Sequence, residues 1–307
     1  MKPELEEVLI KIDPIFFQER VACINGDMNE MNSCMAFGCE CGDGWFEPLK
    51  KMTTQISFLN RAGIRDNVEI ICEQLKEKYG TLRVYYRVSP IDNCKEPINQ
   101  NVYNNLVGDI VDNAEKECMS YCEICGKKEE KNNPIVETSG WISYICYDCA
   151  LSIFLNECVN KNREPQIGAF HNAFSFLSMT HKYRFSHINR CYDTVAECFY
   201  SVLKPEKSKF FTNTNNPYIV FDLAKEFITE DEKHSIVAVE LMRDVLKSKF
   251  NVKDGLGNLL KKTNDYPIIF GNTFHDNFWG CCYCNQCKDK EHQNIYGNLL
   301  MEIRKNL

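Results

Sequence analysis

Two Cys-x-x-Cys pairs, Cys122 with Cys125 and Cys146 with Cys149, constrain this chain more than any other feature. Each pair offers two thiolates from one tight turn. The pairs stand about twenty residues apart, a spacing at which four sulfurs close on one tetrahedral ion. The segment 119–159 therefore reads as a four-cysteine zinc ribbon, with Gly140, Trp141 and Ile142 forming the hairpin between the two knuckles. Four thiolates leave no open position for a substrate water, so the zinc would be structural and serve folding or docking. The competing reading is a set of reduced thiols or a redox pair without metal.

The chain has 18 cysteines among 307 residues. In an exported protein that number would suggest disulfides, but the sequence has neither a signal peptide nor a long apolar run. Reduced thiols, a cytoplasmic location and no membrane partner are the expectation. A net charge of −7 argues against general binding to a phosphate backbone.

Residues 1–118 read as an α+β domain. Leu5, Val8, Leu9 and Ile12 before Pro14 mark a short amphipathic helix, and Leu49, Met52, Ile56 and Leu59 give one face to a helix over 46–61. After Gly80, the run Leu82, Val84, Tyr86, Val88 alternates with Arg83 and Arg87 as a half-buried strand does, and 102–118 reads as helix. Cys34, Cys39 and Cys41 crowd a glycine-rich turn, as metal ligands or as buried thiols. The words CGDGWF and QLKEKYGTLRVYY resemble small uncharacterised proteins of tailed phages, a likeness that carries no activity.

Beyond the linker NKNREP (160–165) the text reads as mainly helical, with helices expected over 194–204, 217–227, 233–249 and 295–305. Six segments fall there in one order. Phe170 to Thr180 reads FHNAFSFLSMT; Glu197 to Lys204 reads ECFYSVLK; Ala224-Lys225 follows; then come Met242, Leu246, Lys249 and Phe250. The close is Asp276, Trp279 and Gly280, then Asn294, Gly297, Leu300, Met301 and Arg304. Residues 166–307 thereby resemble the NADAR family, which includes N-glycosidases of riboflavin-biosynthesis intermediates and hydrolases that free ADP-ribose from guanine bases.

The resemblance implies a mainly α domain that hydrolyses an N-glycosidic bond at a ribose carbon. Its partner would be an ADP-ribose-like nucleotide or ribosylated base, with nucleic acid only as an ADP-ribosylated substrate. Such a bond breaks through an oxocarbenium-like transition state, which calls for a carboxylate and an aimed water. Carried onto this sequence, the family pattern points to Glu197, Asp276 and Lys204 as the catalytic set, with Lys225 as a rival lysine. It points to Trp279, Phe176, Ser178, Gly280 and Asn294 for substrate contacts.

The departures are specific. Placing Glu197 on the family glutamate needs one extra residue after Tyr192; without it Ala196 stands there, and Glu197 completes a capping box with Thr194. Cys198 replaces the following histidine, Met179-Thr180 replaces Asn-Phe, and His234 replaces a tryptophan. Cys281, Cys282, Cys284 and Cys287 interrupt the closing motif. Of these, Cys282, Cys284 and Cys287 with one more ligand, His275 or His292 among the candidates, form the preferred metal set. Two other functions stay open: a degenerate pocket that binds an ADP-ribose-like nucleotide without turnover, and a zinc ribbon that docks a protein or nucleic-acid partner.

Overall fold

The computed structural model describes residues 1–138, 142–168, 170–212, 214, 216–251 and 255–307. Contacts divide the chain into two compact units, Met1–Glu130 with Pro134–Ala150, and Lys131–Asn133 with Leu151–Leu307. The four knuckle cysteines fall in the first unit, while 131–133 and 151–159 of the segment 119–159 fall in the second. No described helix is long and apolar enough to cross a membrane.

The first unit opens with α1 (Pro3–Ile12) and α2 (Gln18–Asn25), where the sequence suggests one helix. Asp13 separates them: its buried carboxylate accepts the N–H groups of Ile15 and Phe16 and the Asn60 amide, so the chain turns there. Strand β1 (Cys39–Glu40) pairs in parallel with β2 (Glu69–Lys78), and β2 pairs antiparallel with β3 (Thr81–Ser89). The β2–β3 turn is two residues long, Tyr79 and Gly80, both at positive φ, as a hairpin that follows the strands' right-handed twist requires. Between β1 and β2 lies α3 (Phe46–Asp66), which buries Leu49, Met52 and Ile56, and α4 (Gln100–Cys118) adds Val107, Val111 and Ala114 to the same core.

The knuckles follow α4. Strands β4 (Ile135–Glu137) and β5 (Tyr144–Cys146) pair antiparallel, and Cys146 leads directly into α5 (Tyr147–Asn160). Of the three residues expected to form the hairpin between the knuckles, Gly140 and Trp141 lie outside the described residues. The glycines of CGDGW have their reason here. Gly44 N–H donates to the Glu123 carbonyl at 2.8 Å, and a Cβ on Gly44 would strike the Cys122 carbonyl oxygen and lie 2.6 Å from the Gly126 nitrogen. Gly44→Ala should therefore destabilise this unit by about 1–3 kcal/mol. A thermal midpoint equal to that of the wild type would contradict the packing.

In the second unit, β6 (Phe185–His187) and β7 (Arg190–Tyr192) form a small hairpin, followed by α6 (Val195–Leu203), α7 (Ser208–Thr212) and α8 (Ile219–Phe227). The helix expected over 233–249 is α10 (Ile236–Lys249), and a separate short helix, α9 (Glu230–Lys233), precedes it. Ser235 takes an extended conformation and caps α10 by accepting the Ala238 N–H at 3.1 Å, which breaks the run at His234. Helices α11 (Leu256–Lys262) and α12 (Ile295–Lys305) complete the unit.

The core of this unit forms where α6 and α12 each pack on α10. It holds the phenylalanine-rich segment by its carbonyls. Lys249 Nζ donates to the Phe176 and Ser178 carbonyls at 2.7 and 3.0 Å, and the Tyr296 hydroxyl donates to the Leu177 carbonyl between them at 2.8 Å. Three successive backbone acceptors thus have buried side-chain donors, as a loop inside a core must.

Candidate functional site

A cavity of about 410 Å³ lies in the second unit, within the usual range for small-molecule sites. Six aromatic side chains line it: Tyr200, Tyr218, Phe221, Phe270, Phe274 and Trp279. Phe221 and Phe274 stack with centroids 6.3 Å apart, and Trp279 meets Phe199 edge-on at 5.5 Å. Such walls suit a planar base. Charged groups share the lining: Asp222, Lys225, Glu230, Lys233 and Asp276.

Three of these charges form one chain. Lys233 Nζ lies 3.6 Å from Glu230 Oε1 and 3.7 Å from Asp276 Oδ2. Asp276 uses its other oxygen, Oδ1, to accept the Phe278 and Trp279 N–H groups at 3.1 and 2.8 Å. One oxygen therefore fixes the turn and the other stays with the cavity cation. Burial, then the charges of Asp276 and Glu230, push the Tyr200 phenol well above its ordinary value, so it stays a neutral donor.

The residues expected from sequence are not all brought together. Asp276 and Trp279 line the cavity, and so does Lys225. Glu197 is not among the lining residues. It is 7% exposed, its N–H donates to Thr194 Oγ1 at 3.1 Å, and its Oε2 accepts the Asp193 N–H at 3.1 Å, so it closes the N-terminus of α6. Burial raises its carboxyl above the usual range, partly opposed by the Asp193 N–H. Lys204 sits outside the lining as well, paired with Glu232 at 2.6 Å.

The side of α6 that meets the cavity carries Tyr200, one turn on from Ala196, and the Ala196 N–H donates to the carbonyl of the lining residue Met179 at 3.0 Å. Phe176 packs edge-on against Phe250, and the Ser178 hydroxyl bonds Thr180 at 2.9 Å. Asn294 clamps backbone, accepting from the Phe270 N–H at 2.9 Å and donating to the Ile268 carbonyl at 2.9 Å. Gly280 is a close approach: a Cβ there would strike the Phe270 carbonyl oxygen.

Sequence reasoning misses Glu230 and Lys233. Glu230 lies ahead of the helix expected over 233–249 and Lys233 at its first residue, and no motif singles either out.

Two side-chain sets could hold a metal ion, each with its four donor atoms within 4.8 Å of one another. The first is Cys122, Cys125, Cys146 and Cys149, where the Cys125 and Cys146 sulfurs are 3.6 Å apart. A tetrahedral ion with bonds near 2.3 Å needs sulfurs about 3.8 Å apart. The second is His275, Cys282, Cys284 and Cys287, with His275 Nδ1 at 3.7, 3.3 and 3.4 Å from the three sulfurs. His292 instead places Nε2 3.2 Å from the Cys287 carbonyl oxygen. Cys34, Cys39 and Cys41 form no such group among the described residues.

Residues 159–307 match the family model of the NADAR domain. No curated protein matches the chain. Among solved structures, the chain is similar to the NMR structure of the E. coli protein YbiA, at 17% identity over 46% of this chain and 83% of that one, with a TM-score of 0.38.

Proposed function

Because residues 159–307 match the NADAR domain model, we propose that this chain is an N-glycosidase, acting on an ADP-ribosyl (guanine-type) or ribosyl-phosphate nucleotide in the cavity walled by Trp279 and Tyr200. The observation that carries the reading is the Glu230–Lys233–Asp276 chain of charges inside an aromatic cavity. An oxocarbenium-like transition state needs a fixed anion beside the sugar, and Asp276 is a carboxylate already held by two backbone N–H groups. Glu230, at the more exposed end, would take the proton of the attacking water. Lys233 and Lys225 would meet phosphate or ribose hydroxyls.

The test is release of ADP-ribose or ribose phosphate from ADP-ribosylated guanine nucleotides and riboflavin-pathway intermediates. Asp276→Asn keeps the Oδ1 acceptor and removes the charge. Its kcat should fall about 10²–10³-fold with ligand binding retained, the usual scale for losing one electrostatic contact to a transition state. Glu197→Gln should stay near wild type, because its carboxylate serves the helix end. The reverse ranking would return the catalytic role to Glu197.

One observation favours a second reading. Glu197 is tied into a cap, so the glutamate to which the family pattern points is not among the carboxylates that line the pocket. A protein that only binds its nucleotide would gain thermal stability with ADP-ribose and release no product. In the first unit, Cys122, Cys125, Cys146 and Cys149 suit structural zinc, whose closed thiolate shell would stabilise the fold and take no part in hydrolysis.

A further inference from the structure

We propose that His275, Cys282, Cys284 and Cys287 form a second metal site, of the zinc class, that positions the cavity residues Asp276 and Trp279. Three thiolates and one imidazole are the donor set of a tetrahedral structural site, and the nitrogen-to-sulfur distances of 3.3 to 3.7 Å are the edges such a tetrahedron requires.

The order of the ligands along the chain gives the site its consequence. His275 lies immediately before Asp276, and the three cysteines lie just after Trp279 and Gly280. An ion bound to all four closes a ring around the turn that carries both cavity residues. Three of the lining residues, Thr273, Phe274 and Asp276, flank His275 within two positions.

Within that ring the backbone is already tied crosswise. Asn272 accepts the Asp276 N–H at 3.1 Å and donates to the Asp276 carbonyl at 2.7 Å, while Asn277 Oδ1 accepts the Cys282 N–H at 3.0 Å. His275 adopts φ of +65°, a left-handed conformation that residues other than glycine adopt at a modest cost, histidine more readily than most. Metal coordination would offset that cost and select the rotamer that keeps Nδ1 among the sulfurs. Without an ion the four donors would lose their common partner and the ring would open. Cys281 is not part of the set: its N–H and carbonyl pair with the Phe270 carbonyl and the Asn272 N–H, which leaves it as the strand-like hinge of the loop.

The proposal uses the cavity as the ligand site, yet its test reads metal and backbone order directly and needs no turnover. The 307-residue chain purified under reducing conditions should carry two zinc ions. Cys284→Ser should carry one, and amide exchange in residues 271–281 should speed up at least tenfold while α10 and α12 keep their protection. Cys122→Ser should also lose one ion but leave exchange in 271–281 unchanged. If Cys284→Ser does not fold, stepwise chelation of the wild type followed by the same exchange measurement replaces it.

A single ion per chain that Cys284→Ser or chelation leaves in place overturns the metal site. Loss of the second ion with unchanged exchange in 271–281 overturns the positioning role. If the glycosidase reading fails instead, these two readouts keep their outcome and only product release is absent.

Discussion

Withdrawal of the metal proposed for Cys122, Cys125, Cys146 and Cys149 should unfold the knuckle segment and lower the thermal midpoint of the first unit by roughly 6 °C or more. The magnitude follows from what is left without it. The β4–β5 hairpin has three residues per strand, which is too little to persist alone in water. Structural zinc in small cysteine modules contributes on the order of 10 kcal/mol of apparent binding energy, comparable with the whole stability of a domain. Part of the segment has other support: Gly44 and Gly126 are in close approach, and a Cβ on Gly80 would lie 2.7 Å from the Tyr144 ring. We therefore expect loss of at least about 3–5 kcal/mol rather than the full sum, at about 2–4 °C per kcal/mol for a unit of this size. Cys146→Ser, with its side chain fully buried, is the cleanest variant. A midpoint and β4–β5 amide protection unchanged by the substitution and by chelation would sink the structural role.

How much of this is legible beforehand depends on what each feature needs. Local periodicity suffices for α12, expected over 295–305 and found at Ile295–Lys305, because its apolar residues and buried face coincide. The β3 strand is readable from its alternation, but β2 is not: Ile70, Ile71 and Cys72 are all buried and Glu73 falls in a register shift, so no alternation survives there. The break at Ser235 is hidden because α9 and α10 are both helical and only a cap separates them.

The site shows the same limit more sharply. Asp276 and Trp279, to which the family resemblance points, both line the cavity. Glu197 requires a choice between two frames one residue apart, and one residue rotates a helix by about 100°. That rotation decides between a side chain beside Tyr200's face and one that folds back on Asp193. Sequence spacing carries both frames; the fold adds that the Ala196 N–H meets the Met179 carbonyl and that the Glu197 carboxylate accepts the Asp193 N–H. In the second cysteine cluster, likewise, the sequence offers two histidines, and only the folded loop brings His275 to the sulfurs.

Stability of the second unit should rise with pH between about 7 and 10, against the common tendency of proteins to weaken in alkali, and Lys249 is the cause. Its side chain is fully buried with no carboxylate partner among the described residues, only the Phe176 and Ser178 carbonyls, and burial lowers its ammonium from the ordinary 10.5 to about 7. Below pH 7 the lysine is charged in both the folded and unfolded chain, so the cost of burying that charge is fully present. Between 7 and 10.5 the folded chain sheds the proton while the unfolded chain keeps it. The unfolded state then binds more protons, and stability climbs by up to about 1.4 kcal/mol per pH unit. Across the window the gain is on the order of 5 kcal/mol. His181, held near 4 by burial and by Lys249, is neutral throughout and adds no slope of its own. Lys249→Met removes the titration but leaves the Phe176 and Ser178 carbonyls without donors, at about 1–3 kcal/mol each. The variant should therefore be less stable than wild type at pH 10, and the gap should narrow or invert at pH 6.5. Denaturant unfolding of both proteins at several pH values decides it, and a gap that does not change with pH would mean that Lys249 keeps its charge inside the fold.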